Sequence, residues 1–239
     1  MTLWLLGYPD QALERSRDAL ALAQKLSHPY SLVHALFYSA WVHQQRGERQ
    51  AVDERIGAAV TLATEQGFTR WVLQGAVLQG WLLAQHGKGQ EGILKMRQGA
   101  TVVREQSYYA VPLAEAYGKE GQSEEGLRVI SEELARVHKI GERFYEVELY
   151  RIKGELLLKK PVTDEEQAEG CFQKALEVAR SQSAKSLELR ATMSLSRLWQ
   201  KRGKQKEARQ LLAEIYSWFT EGFDTADLKA AKALLEELA

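Results

Sequence analysis

Several things are missing from this chain of 239 residues, and each absence narrows the reading. There is a single cysteine, Cys171, which excludes an internal disulfide framework and a cysteine-rich zinc site and fits a reducing, cytoplasmic compartment. Only four prolines interrupt the chain. No apolar run reaches the roughly 18 residues of a membrane span, so no membrane is expected as a partner. No charge of one sign dominates either: 32 basic residues balance 32 acidic ones. Without a net field there is little nonspecific affinity for nucleic acid, and none is expected as a partner. Sustained period-two alternation is absent, so no sheet is expected.

What is present is a repeated phrase. Small residues stand at Ala40, Gly80, Ala114, Gly154 and Ser196, each followed three residues later by His43, Leu83, Tyr117, Leu157 or Trp199. Seven residues after each small residue comes a breaker: Gly47, Gly87, Gly121, Pro161 and Gly203, with an unpaired Gly7 before them. A small residue lets two helices touch, and a glycine lets the chain leave a helix in a left-handed conformation. The steps from one small residue to the next are 40, 34, 40 and 42, and a period in this range marks a stacked array of helix pairs.

The spacing predicts helix pairs Ser31 to Arg46 with Glu48 to Gln66, Thr69 to His86 with Gly89 to Gln106, and Tyr109 to Glu120 with Glu124 to Lys139. Glu142 to Lys160 should pair with Asp164 to Ser181, and Lys185 to Arg202 with Gln205 to Phe219. Before them, Pro9 opens a returning helix. After them, Asp224 is the expected N-cap of a closing helix to Leu238. The short step between Gly80 and Ala114 admits two accounts. Six residues are absent between Gln106 and Ser107, which is the preferred account, or this unit is truly 34 residues long. Pro112 fits either account near a helix start. The opening Met1 to Leu6 reads as the last turns of a helix, so the chain is expected to begin inside a repeat and to be a piece of a larger protein.

The phrase resembles the tetratricopeptide repeats. Their long variety is similar to the C-terminal region of bacterial multidomain signalling ATPases and adenylate cyclases and of large transcription activators. Leu113 to Gly121 and Trp218 to Leu228 carry that closer resemblance. It implies one all-α domain over residues 1–239: a right-handed α-α solenoid of about five helix pairs, with a partial N-terminal repeat and a C-terminal capping helix.

The resemblance also implies a concave face lined by the first helix of each pair. Its groove positions would be Trp41, Trp81, Glu115, Glu155 and Arg197. One turn earlier stand Phe37, Val77, Val111, Arg151 and Met193, and another turn earlier His34, Gln74, Tyr108, Glu148 and Arg190. The expected ligand-binding residues are therefore His34, Phe37, Trp41, Val77, Trp81, Tyr108, Arg151, Arg190 and Arg197, with the aromatic half making most contact. Whether Trp41 and Trp81 line a groove or fill a core stays open, because aromatics at helical spacing also mean packing. In the charged half, Glu148, Arg151 and Glu155 are expected to form an ion network with Arg190 and Arg197, contributing about 0–1 kcal/mol per exposed pair.

Other motifs carry less. Gly87 to Gly92 spells GxGxxG, but a helix and not a strand precedes it, so a turn is expected in place of a nucleotide site. His28, His34, His43, His86 and His138 form no metal-ligand pattern, and no metal or cofactor is expected. Lys201, Arg202, Lys204, Lys206 and Arg209 crowd one turn without a groove-reading element. The resemblance excludes one familiar subclass: the clamp that grips chaperone tails needs two asparagines, and the chain has none.

The functional expectation is a noncatalytic platform for a protein or peptide segment, or a regulatory ligand-sensing domain, in a larger bacterial signalling protein. The alternative is an oligomerisation or intramolecular scaffold without an external ligand, with Leu3, Trp4 and Leu6 offering an apolar end to a second copy.

Overall fold

A computed structural model describes residues 1–103 and 107–239, and the side chains of all but 101–106. The junction at Gln106–Ser107, where absent residues were expected, lies outside the described residues.

Among the described residues there are helices and no strands. The order is α1 Thr2–Leu5, α2 Pro9–Leu26, α3 Pro29–Arg46, α4 Arg49–Glu65, α5 Thr69–Gln85, α6 Gly89–Val103, α7 Ala110–Lys119, α8 Ser123–Ile140, α9 Glu146–Leu157, α10 Glu165–Ser181, α11 Lys185–Lys201, α12 Gln205–Tyr216 and α13 Ala226–Glu237. Each helix packs on the next in sequence, as an all-α solenoid requires. A second rule sets the curvature. The odd helices also touch one another, α3 on α5, α5 on α7, and so on to α11 on α13. They therefore form the inner layer, and the even helices an outer one.

The repeated small residues make this stacking possible. Ala40, Ala114 and Ser196 are fully buried. A Cβ on Gly80 would lie 2.6 Å from the Gly92 carbonyl oxygen, so α5 and α6 approach backbone to backbone. Gly47, Gly87, Gly121 and Gly203 all adopt positive φ between the helices of their pairs, the conformation a side chain disfavours. The GxGxxG stretch is accordingly the turn from α5 into α6.

Several boundaries depart from expectation, among them α12, which ends at Tyr216 and not Phe219. Helix α9 begins at Glu146, not Glu142, because the Glu142 carboxylate is held outside the helix by Ser107 Oγ at 2.6 Å and Arg136 Nη2 at 2.8 Å. It ends at Leu157, ahead of the loop that carries Pro161. Thr225, not Asp224, precedes α13, since Asp224 is drawn to Arg46. Pro9 does open α2, and Pro112 is the third residue of α7, where its missing N–H costs nothing.

The larger departure is that the two ends meet. Helix α1 packs on α11. Trp4 is buried and meets Trp41 edge-on at 5.7 Å, while Ser186 Oγ donates to the Trp4 carbonyl oxygen at 2.5 Å. Tyr8 lies against Trp218, with centroids 5.6 Å apart. The backbone N–H groups of Asp10 and Gln11 donate to the Glu221 carboxylate at 2.9 and 3.1 Å, and the Gly222 N–H donates to Asp10 at 2.9 Å. At the centre of this seam Arg46, its side chain only 2% exposed, reaches Glu48 and Asp10 at 2.7 Å and both oxygens of Asp224 at 3.0 Å. The expectation that Trp4 is part of an exposed apolar end for a second copy is thus corrected: the chain's own C-terminal helices cover it.

Candidate functional site

The inner faces of α3, α5, α7, α9, α11 and α13 enclose a cavity of about 390 Å³. Its walls come from residues that a straight array would hold far apart, because the closing seam brings Gln44, Gln45 and Gly47 opposite Ala226, Asp227 and Ala230.

The deep part of the cavity is organised by two arginines. Arg151 donates from Nε and Nη2 to both oxygens of Glu148 at 2.7 and 2.8 Å, and from Nη1 to Glu155 at 2.7 Å. Its remaining contact is longer, from Nη2 to Glu115 Oε1 at 3.2 Å. Arg190 donates to Asp227 at 2.8 Å, to the Gln45 side chain at 2.9 Å and to the Gln45 carbonyl oxygen at 3.2 Å. It also lies 3.6 Å from Glu148 and stacks 4.7 Å over the Trp4 ring. One guanidinium therefore ties α11 to α1, α3, α9 and α13.

These partners set the carboxylates apart. Burial pushes Glu148 up, but Arg151 and Arg190 outweigh it and hold its pKa below the ordinary value. Burial dominates at Glu115, which has a single long contact with Arg151; with Glu148 and Glu155 also nearby, its pKa is raised. Tyr145, fully enclosed, accepts from Trp41 Nε1 at 3.1 Å.

The mouth differs from the floor. Lys119, Lys159 and Arg197 line the same cavity and are exposed. Among the described residues none of the three makes an ion pair, and Lys119 donates only to the Gln85 amide oxygen at 3.0 Å. The Trp81 indole, half-buried, and Tyr108 complete the wall.

Of the residues expected to bind ligand, the structure brings Trp81, Tyr108, Arg151, Arg190 and Arg197 together in this cavity. Three others it removes. Phe37, Trp41 and Val77 are 3%, 1% and 0% exposed and offer no surface. Phe37 is packed against Trp71 at 5.3 Å, and Trp41 lies under Trp4. His34 is elsewhere, edge-on to Trp71 at 5.3 Å, in a separate apolar depression with Leu22, Leu26 and Tyr30, and burial lowers its pKa. The aromatic half is therefore largely core, apart from Trp81 and Tyr108, and the charged half lines most of the cavity. Its ion network forms between Arg151, Arg190 and their carboxylates, while Arg197 stays outside it.

Sequence reasoning missed Lys119, Lys159 and Gln85, although each lies four residues beyond a groove position and extending the same stripe by one turn would reach it. Gln45, four residues beyond Trp41, carries the same signal, whereas Asp227 had none, because only the meeting of the chain ends places it here.

No family model matches the sequence, and no curated protein matches it. Among solved structures it is similar to BtubC (BKLC) from P. vanneervenii, with a TM-score of 0.58 and 13% identity, over 95% of this chain and 92% of that one. At that identity the likeness speaks for the fold alone.

Proposed function

We propose that the chain is a noncatalytic binding platform whose central cavity receives a peptide, a protein segment or a regulatory ligand within a larger signalling protein of the bacterial cytoplasm. The observation that carries this reading is the cavity itself. Six inner helices converge on it, its floor is stiffened by arginine–carboxylate pairs, and its mouth keeps three cations and an indole available. Rigid charged walls with an accessible aromatic suit recognition. The resemblance to the long tetratricopeptide repeats of signalling ATPases and adenylate cyclases supports the same role.

A photo-crosslinking residue at position 81, compared with one at Leu94 on the outside, tests the platform in cell extract. A partner attached through position 81 and not through position 94, and weakened by Arg197→Glu, is the expected result. Equal labelling at both positions, or labelling indifferent to Arg197→Glu, rejects the platform.

A second reading has its own observation. The seam joining residues 4–11 to residues 186–224 suits an intramolecular scaffold that needs no external ligand. Under that reading no partner attaches at position 81.

A further inference from the structure

Charge in the central cavity is separated by depth. In the deep half, Arg151 and Arg190 face four carboxylates, Glu115, Glu148, Glu155 and Asp227. At the mouth, Lys119, Lys159 and Arg197 face none within ion-pair distance among the described residues. The lining carries five positive and four negative groups, so the cavity is almost neutral as a whole but polarised along its axis.

The internal pairs do not use up the floor. Glu155 Oε1 already accepts from Arg151 at 2.7 Å and Ser194 Oγ at 2.9 Å. Glu115 accepts through one oxygen only, at 3.2 Å, and its second oxygen takes no hydrogen bond among the described residues. Its side chain keeps 31% of its surface, open to the cavity. The half-buried Trp81 indole shares the same wall, and an indole face attracts a cation.

A simple anion would be drawn to the mouth but repelled by the acidic excess below. A simple cation would suit the floor but must pass three cations. The geometry points to a small zwitterion of dipeptide size, its ammonium at Glu115 and Glu155 beside Trp81 and its carboxylate at Lys159 and Arg197. This deepens the platform reading and rests on it.

Size supports the assignment. Glu115 and Lys119, like Glu155 and Lys159, are four residues apart, so mouth and floor are separated by about 6 Å along the helix axis. Two extended residues span about 7 Å, whereas the charges of a free α-amino acid flank a single carbon and cannot reach both layers. A cavity of about 390 Å³ lies in the range of small-ligand sites. The Gln85 amide on its wall, its oxygen already accepting from Lys119 at 3.0 Å, keeps its Nε2 donor for a peptide carbonyl.

Isothermal titration of the full chain with alanyl-alanine tests the assignment, against N-acetyl-alanyl-alanine, alanyl-alanine amide and glycine. The uncapped dipeptide should bind, and either cap should weaken it by about tenfold or more. Glu115→Gln should weaken the free dipeptide and leave the acetylated one unchanged. Arg197→Gln, at an exposed position where folding is not at stake, should erase the difference between the acid and the amide. Binding of all four probes alike, or no binding of alanyl-alanine at millimolar concentration, overturns the zwitterion. If a protein partner still attaches through position 81 in that case, only the ligand class has failed; if neither binds, the platform has failed with it.

Discussion

Arg46 is the residue on which the closing seam depends, and Arg46→Met removes its charge while keeping much of its apolar stem. The guanidinium is buried, but its partners are not: the side chains of Asp10, Asp224 and Glu48 are 50%, 68% and 35% exposed. Losing a buried charge partner in a closed site costs about 3–5 kcal/mol, yet here the abandoned carboxylates turn back to water. We therefore count about 1.5–3 kcal/mol for the better shielded bond to Glu48 and about 0–1 kcal/mol for each aspartate. Methionine also regains the desolvation cost of the guanidinium, which brings the expected loss to about 2–3 kcal/mol. For a chain of this length that lowers Tm by roughly 4–12 °C. Urea unfolding followed by far-UV circular dichroism and by tryptophan fluorescence measures it, since Trp4 and Trp218 flank the seam. Arg128→Met is the control: Arg128 pairs with Glu125 and Glu132, but its side chain is 59% exposed, and its removal should cost less than about 0.5 kcal/mol. Equal effects of the two substitutions would refute the reasoning, and so would a loss at Arg46 below about 0.5 kcal/mol.

Further outcomes follow from the packing and the charges. Trp41→Ala should destabilise by about 3–5 kcal/mol in chemical unfolding and Trp81→Ala by clearly less, because the first indole is 1% exposed and the second is half open to the cavity; similar losses would contradict the placement. Gly80→Ala should cost about 1–3 kcal/mol, because its Cβ would meet the Gly92 backbone. Gly170→Ala, with open space around it inside α10, should gain about 0.5–1 kcal/mol. Acid should destabilise the chain as pH falls below the ordinary carboxylate value of 4.5, because the folded pKa values of Glu48, Glu142, Glu148 and Glu169 are lowered and their stabilisation is lost as those groups protonate. Glu115 works in the opposite sense. Its pKa is raised, so its contribution is present at low pH and lost as pH rises through the folded value. Glu115→Gln should therefore raise the melting temperature at pH 7 and lose that advantage near pH 4; a uniform shift at both values would contradict it.

The helices were legible because their signals are local and recur. Ala40, Gly80, Ala114, Gly154 and Ser196 mark contacts that every unit must make, so period alone locates them. The lining of the cavity was legible in part. Arg151 and Arg190 sit where the groove stripe puts them, since the stripe follows from helical geometry. Trp41 and Trp81 occupy the same place in their units and meet different fates, and the cause lies outside both units: Trp4 arrives from the N-terminal turn and covers one indole only. Contacts between residues about 180–210 apart, such as Arg46 with Asp224 and Asp10 with Gly222, leave no periodic trace. Sequence reading therefore found the layers and missed their closure.

Closure changes how the array should assemble. In an open stack each unit answers only to its neighbours, and the end units fray independently. Here the Gln11 N–H bonds to Glu221, 210 residues away. In a flexible chain, loop-closure entropy for such a contact is on the order of 5 kcal/mol, more than this hydrogen bond can return. The intervening helices must be stacked first, so that their curvature delivers the two ends to each other. The seam is then a late event in folding, and once formed it couples the stability of the first unit to that of the last. An array that would otherwise melt from its tips inward acquires the cooperativity of a closed body.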